Sequence, residues 1–372
     1  MVSPSLDASP AVPAVSFRVW LILAVILLAE IVDLLDATIT TIAAPSIVHE
    51  LGGGAGLISW LGASYALSMG VLLVLGGRLG DKFGRKNLFL VGIVGFTLAS
   101  IACGLAPSPT VIILARITQG AFAAMMVPQG FGIISQAFSR EQMGQAFSAF
   151  GPVLGISAVA GPLVAGALIN ANLLGLGWRA AFLINIIVGV LTFVAAWSLL
   201  PHDRGDASVR IDLLGAALLG GAMLGLLFGL IQGAETGWPP LTIAAMAAGA
   251  LLSALFVVQQ RTSADPLLQR SLFQNRGFVY GLIVGLAFFG ALAGIMLVTG
   301  IFVQLGLGYT PLQASIATAP VAIGIVIGSI LGHNLVAQLG RRLVFAGIGA
   351  VITGVVAMIA VMQIVPLATL SG

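Results

Sequence analysis

The sequence predicts an all-α polytopic membrane protein. Three observations carry that prediction: a composition 59% hydrophobic and only 7% charged, a mean hydropathy of +1.14 over 372 residues, and a series of apolar stretches long enough to cross a bilayer. The 49 glycines fit the same class, since membrane helices use small residues for close backbone contact. The net charge of +3 suggests no nucleic-acid partner, because the basic residues are scattered through short connections and never form a run. Cys103 is the single cysteine, which excludes an intrachain disulfide and a multi-cysteine metal site. No nucleophile–base pair, metal-ligand set or phosphate loop emerges, so the chain reads as a non-enzyme without cofactor.

Breaks at charges, prolines and Gly-rich turns divide the chain into eleven spans. A polar, proline-bearing tail, 1–16, precedes the first, 17–46, whose apolar core is far longer than that of a signal peptide. The next five are 57–77, 87–106, 110–135, 144–170 and 178–200. Then come 211–232 and 240–260, and after a polar connection 277–304, 312–336 and 342–364. Orientation follows from the basic residues. With the N-terminus inside, Arg18, Lys82, Arg85, Lys86, Arg140, Arg204, Arg210, Arg261, Arg270, Arg276, Arg341 and Arg342 are cytoplasmic, whereas only Arg179 adjoins an outer loop. Trp60, Trp178, Trp238 and Tyr309 fall at outer ends and read as interfacial anchors. An odd number of spans leaves the C-terminus, after Pro366, outside.

Glu30, Asp33 and Asp36 interrupt the first span. A charge at the centre of a spanning helix costs about 2.5 to 3.5 kcal/mol on insertion scales, so three carboxylates in seven residues point to function. Spacing by three places them in a stripe about 120° wide, able to face a water-filled cavity. Glu30 could instead meet water near a helix end. Arg116, with Gln119 at i+3 on the same face of the fourth span, lies too deep for a surface arginine, although snorkelling would also place it near the interface. Asp36 and Arg116 differ in depth by about 6 Å and can pair. Desolvation favours the neutral carboxyl, while a cation such as Arg116 or a bound cationic molecule favours the ionised form, so protonation and ligand binding can compete.

GGRLGDKFGRKN, Gly76 to Asn87, reads as a tight polar turn in which Gly77, Gly80 and Gly84 permit close approach and Asp81 meets Arg78, Lys82, Arg85 and Lys86. A simple membrane-stop loop would share its charges. The spacing resembles the G-x-L-x-D-x-x-G-R-K signature of the major facilitator superfamily, matched by Gly77, Leu79, Asp81, Gly84, Arg85 and Lys86. By that resemblance the stretch is a conformational switch, with Asp81 and Arg85 at its centre. Arg116, Gln119 and Gly120 match the family's R-x-x-Q-G, associated with proton coupling. Gly151, Gly155, Gly161, Pro162 and Gly166 supply kinking and close packing to the fifth span, and G-P-x-x-x-G is similar to the antiporter motif of exporters, with Ala165 where a glycine is common. LDATITTIAAP, Leu35 to Pro45, resembles the signature of the fourteen-span drug:proton antiporters of the EmrB/QacA type, with Asp36, Thr38, Ala43 and Pro45 matching and Thr41 in place of Asn. The likeness continues through Trp60, Tyr65, WRAAFLIN at 178–185, IDLLGA at 211–216 and the segment 266–314.

The resemblance implies a major facilitator fold with three further spans after residue 372. It divides the chain into a cytoplasmic tail (1–16), a six-helix bundle (17–203), a two-helix insertion (204–262) and a partial second bundle (263–372). GHNLVAQLGRR, 332–342, looks like a weakened second switch with Ala337 in place of the acid. The implied function is proton-driven multidrug efflux at the plasma membrane by alternating access. Its partners are a small amphipathic substrate, cationic or neutral, protons and lipid. In this reading Asp36 couples protons, Arg116 modulates it, and Asp33 or Glu30 selects cargo. A non-transporting fragment or degenerate sensor of the same fold is the alternative, and a sugar or anion importer fits the acidic first span less well.

Overall fold

The computed structural model describes residues 15–139 and 142–364. Arg140, Pro366 and most of the N-terminal tail lie outside them, as do the side-chain surroundings of Gly151, Ala337 and Arg341. Among the described residues there are helices and turns and no strand. The helices are α1 Phe17–Leu51, α2 Gly54–Phe83, α3 Arg85–Gly104, α4 Pro109–Ala137, α5 Met143–Ala171, α6 Arg179–Leu199, α7 Leu213–Thr236, α8 Pro240–Thr262, α9 Arg270–Gln274, α10 Arg276–Ile301, α11 Pro311–Leu339 and α12 Arg341–Ile364. A π-helical turn, Phe302–Gly306, follows α10.

Local sequence explains where these helices start. Ser16, Ser108, Asp212 and Asn275 each accept a backbone N–H of the first turn, and Pro109 and Pro240 open α4 and α8, where a missing N–H costs nothing. Their ends depart from the sequence reading in two places. α1 runs through Pro45 to Leu51, beyond the expected boundary at 46. α2 continues to Phe83, so the stretch expected as a polar turn is helical except at Gly84, whose φ of 93° lets the chain reverse in a single residue. Charged side chains at the helix end reach water without the backbone unwinding, so polarity alone does not stop a helix.

Among the described residues, nine helices are long and apolar enough to cross a membrane by length and composition. α1 falls outside that set; it carries Glu30, Asp33 and Asp36 in its apolar stretch. α2 packs along α4, α4 along α3, α3 along α6, and α1 along α5 and α6. The α7–α8 hairpin lies against α2, and α11 lies against α5. Exposed apolar residues such as Ile187, Leu191 and Val194 on α6 form the face a bilayer would cover.

Glycine contacts revise the expected close approach. A Cβ at Gly76 would collide with the Ala124 carbonyl of α4 and one at Gly80 with the Gln129 side chain, whereas at Gly77 the nearest atom, Pro128 Cβ, is at an ordinary 3.8 Å. Gly76, not Gly77, therefore sets the α2–α4 distance. Gly76→Ala is expected to destabilise the protein by about 1–3 kcal/mol through overpacking. Gly77→Ala should be neutral or stabilising by up to about 1 kcal/mol through helix propensity, both read as thermal unfolding in detergent.

Candidate functional site

α1 presents its carboxylates to the middle of the bundle formed by α1 to α6. Two apolar clusters bracket them. One, around Ile22, Ile26, Phe89, Ile133 and Leu200, fills the end near Arg85; the other, around Ala43, Ile47, Leu61, Ile112 and Phe182, fills the end near Glu50. Polar groups buried between the clusters are stable where they find protein partners.

Asp36 is fully buried and has three. Arg116 donates to Oδ2 through Nη1, Gln119 Nε2 donates to Oδ1 at 2.7 Å, and Asn185 Nδ2 donates to Oδ1 at 2.9 Å. Arg116 is itself 1% exposed, which excludes snorkelling. Its Nε donates to the Leu61 carbonyl at 3.1 Å, its Nη1 also meets Gln119 Oε1 at 2.7 Å, and its guanidinium lies over the Tyr65 ring at 4.3 Å. The Tyr65 hydroxyl donates to Asp33. Asn185 further donates to Ser100 Oγ at 2.9 Å, and Cys103 Sγ approaches Gln119 Oε1 at 3.6 Å.

Asp33, Asp36, Arg116 and Gln119 thus share one network. Glu30 stands apart, half-buried beside Gly130 of α4. Neither Glu30 nor Asp33 has a cationic partner at ion-pair distance among the described residues. Tyr65, Ser100 and Asn185 were not selected by sequence reasoning. The available signal was weak: single polar residues inside apolar helices, two of them within stretches chosen only for resemblance.

The residues expected to form a switch gather at the α2–α3 joint. Arg85 pairs with Asp81 at 2.9 Å and donates to the Gly132 carbonyl of α4 at 2.7 Å. Lys86 does not join Asp81; it is buried and donates to the Trp197 and Leu200 carbonyls at 2.7 and 2.8 Å, at the C-terminal end of α6. Asp203, unmarked by sequence, accepts the Arg85 and Lys86 backbone N–H groups at 2.9 and 3.3 Å and so caps α3. The Asp206 N–H also donates to the Asp81 carbonyl at 2.7 Å. The Ser208 hydroxyl and backbone N–H hold the Asp206 carboxyl below its ordinary pKa.

In α5, Gly161 approaches α1 so closely that a Cβ would strike Thr38 Oγ1, Gly166 is buried, and the helix continues through Pro162. At the opposite end Trp178 is not an interfacial anchor. It is buried, donating through Nε1 to Glu50 at 2.7 Å, while Arg179 pairs with the same carboxylate at 2.5 Å.

The buried pair makes a direct prediction. Arg116→Met leaves Asp36 without its counter-charge and should cost about 3–5 kcal/mol, whereas Asn185→Ala, removing one donor to an ionised acceptor, should cost about 1.5–3 kcal/mol. Chemical unfolding of the purified protein in detergent orders the two.

The sequence pattern of the Major Facilitator Superfamily matches residues 26–371. The chain is 41% identical over 361 residues to the probable actinorhodin transporter of Streptomyces coelicolor, covering 96% of this chain and 62% of that protein. It is 31% identical to the tetracenomycin C resistance and export protein of Streptomyces glaucescens, covering 87% of this chain and 60% of the relative. The chain therefore spans about three fifths of the length of these curated relatives. A crystal structure of a POT family transporter in complex with a thioalcohol-conjugated peptide superposes with a TM-score of 0.61 at 13% identity, covering 86% of this chain and 70% of that one, which supports the fold alone. On the extent of the family match and the identity to these relatives, the chain belongs to the Major Facilitator Superfamily, a family of multi-pass membrane transporters.

Proposed function

We propose that the chain acts in proton-coupled export of drugs or other amphipathic small molecules by alternating access, in the cell membrane, with its N-terminus cytoplasmic. The observation that carries this reading is the Asp36 network: a buried carboxylate held by one arginine and linked through Tyr65 to Asp33, which lacks a cation, with Glu30 further along the same helix. Relatives described as a transporter and as a resistance and export protein support the direction of transport. The concentration of basic residues at the Arg85 end supports the orientation, and the two-helix insertion favours the fourteen-span group.

Protonating Asp36 removes the charge that holds Arg116 and weakens the links from α1 to α4 and α6. Loss of the proton restores them. Asp33 and Glu30, without arginine partners, supply negative charge to a cationic substrate, whose arrival disfavours a proton on the same stripe. Competition of this kind exchanges protons for cargo. The Asp81–Arg85 pair, half-exposed and at i,i+4 spacing, contributes only about 0.3–0.5 kcal/mol and can open and close as the halves rock. The energy source is the proton gradient, and no cofactor is required.

Cells expressing the protein should accumulate less of a fluorescent lipophilic cation while a proton gradient exists and lose that difference when it is collapsed. Asp36→Asn is expected to reduce gradient-dependent efflux about tenfold or more, equivalent to at least ~1.4 kcal/mol of coupling. Efflux equal to the parent would remove Asp36 from the mechanism. Glu30→Gln and Asp33→Asn should depress export of cationic compounds more than of neutral ones, and equal effects on both would dismiss the selectivity role.

A further inference from the structure

The corner between α8 and α9 encloses a cavity of about 360 Å3 that the transport reading does not use. Phe256, Val257, Leu268 and Phe273 contribute apolar surface to it, and Arg261 and Arg270 contribute two guanidinium groups. It lies where α8 passes from a run of apolar residues, Leu255 to Val258, into Gln259, Gln260 and Arg261, the level at which a bilayer's headgroups begin. Val257 and Phe273 are about half exposed, at 48% and 49%.

The cavity wall is fixed by hydrogen bonds. Arg270 donates to the Gln260 and Ser263 carbonyls at 3.1 and 2.7 Å, closing the end of α8. Gln260 Oε1 accepts the Leu268 N–H at 2.9 Å. Behind it, Asp212 accepts from Gly215 N, Gln259 Nε2, Gln260 Nε2 and Leu267 N at 2.8 to 3.2 Å. Burial alone would raise the Asp212 carboxyl, but these donors together hold it below its ordinary pKa. Its charge is therefore already satisfied. Asp265, the other nearby acid, pairs with Arg210 at 3.5 Å. Arg261 has no ion-pair partner among the described residues. The cavity is thus positively charged, apolar-walled and level with the membrane surface.

We propose that this cavity binds an anionic phospholipid, with its phosphate between Arg261 and Arg270 and an acyl chain along Phe256, Val257 and Phe273. A free phosphate would leave the apolar wall unused. A choline headgroup would bring its own cation toward two arginines. Basic pockets beside spanning helices are suited to such headgroups, and each arginine near the surface contributes roughly a fivefold preference for the anionic lipid.

The test is native mass spectrometry of the purified full chain with phosphatidylglycerol or phosphatidylcholine added to the micelle. Retention of phosphatidylglycerol should exceed that of phosphatidylcholine by about twenty-fivefold, the product of two arginines, and Arg261→Gln should reduce that preference about fivefold. Arg210→Gln, which alters a guanidinium outside the cavity, should leave it intact. Circular dichroism establishes that each variant is folded; Arg261 is exposed, so its replacement should fold. Equal retention of both lipids, an unaltered preference in Arg261→Gln, an equal loss in Arg210→Gln, or displacement of the lipid by millimolar inorganic phosphate would each overturn the assignment.

Discussion

Burial of Arg116 against Asp36 constrains the arrangement of five of the first six helices. An ion pair removed from water is stable only when its remaining donors and acceptors are satisfied, and no single helix can supply them all. Asp36 comes from α1, Arg116 and Gln119 from α4, Asn185 from α6, and the Leu61 carbonyl and Tyr65 ring from α2. Ser100 extends the set to α3 by accepting from Asn185 and donating to the Phe182 carbonyl at 3.0 Å. Rotating or sliding any of these helices by a fraction of a turn would leave a buried charge short of a partner. Apolar contacts make the bundle cohere, whereas the polar centre selects its register.

The two ion pairs of the first six helices that carry family motifs differ in the property their positions require. Asp36–Arg116 is withdrawn from water, so a proton added to or taken from Asp36 alters interactions with several helices at once. Asp81–Arg85 is partly solvated and within one turn, so its making or breaking changes little by itself. Its leverage comes from what Arg85 and the adjoining backbone also touch: the Gly132 carbonyl of α4 and, through Asp203, the segment leaving α6. In the proposed export mechanism, the solvated pair would serve as the latch and the buried pair as the coupling element.

Much of the first helix was legible because the physics is local. Three acids at spacing three define a face whatever the tertiary structure, and depth along a helix axis follows from residue count, so Asp36 and Arg116 could be matched from sequence. Asn185 and Tyr65 were not legible in this way. A single amide or phenol in an apolar helix carries no period, and its partner lies on another element. Asp203 illustrates the same limit at a helix end: α3 is capped not by the residue before it, Gly84, but by a carboxylate far along the chain. The misplacement of close contact onto Gly77 rather than Gly76 has a related origin. Neighbouring glycines point about 100° apart on a helix, and only the packing partner decides which faces it.

The α7–α8 hairpin is fastened to α2 at two points. At one end Glu235 of α7 accepts the Gly56 N–H of α2 at 3.2 Å, with Phe228 near Trp60 at a ring separation of 6.4 Å. At the other, the segment before α7 donates from Asp206 N to the Asp81 carbonyl, and Gly205 adopts a φ of 66° against the Lys82 backbone. A helix held at both ends and packed along its length travels with its neighbour. α7 is fastened to α2 at both ends. Beyond α8, at the α8–α9 corner, Arg270, Gln260 and Asp212 tie the connection back to the hairpin. An anionic lipid seated there would hold the same joint from outside, making membrane composition a determinant of how freely the connection to α10 can bend.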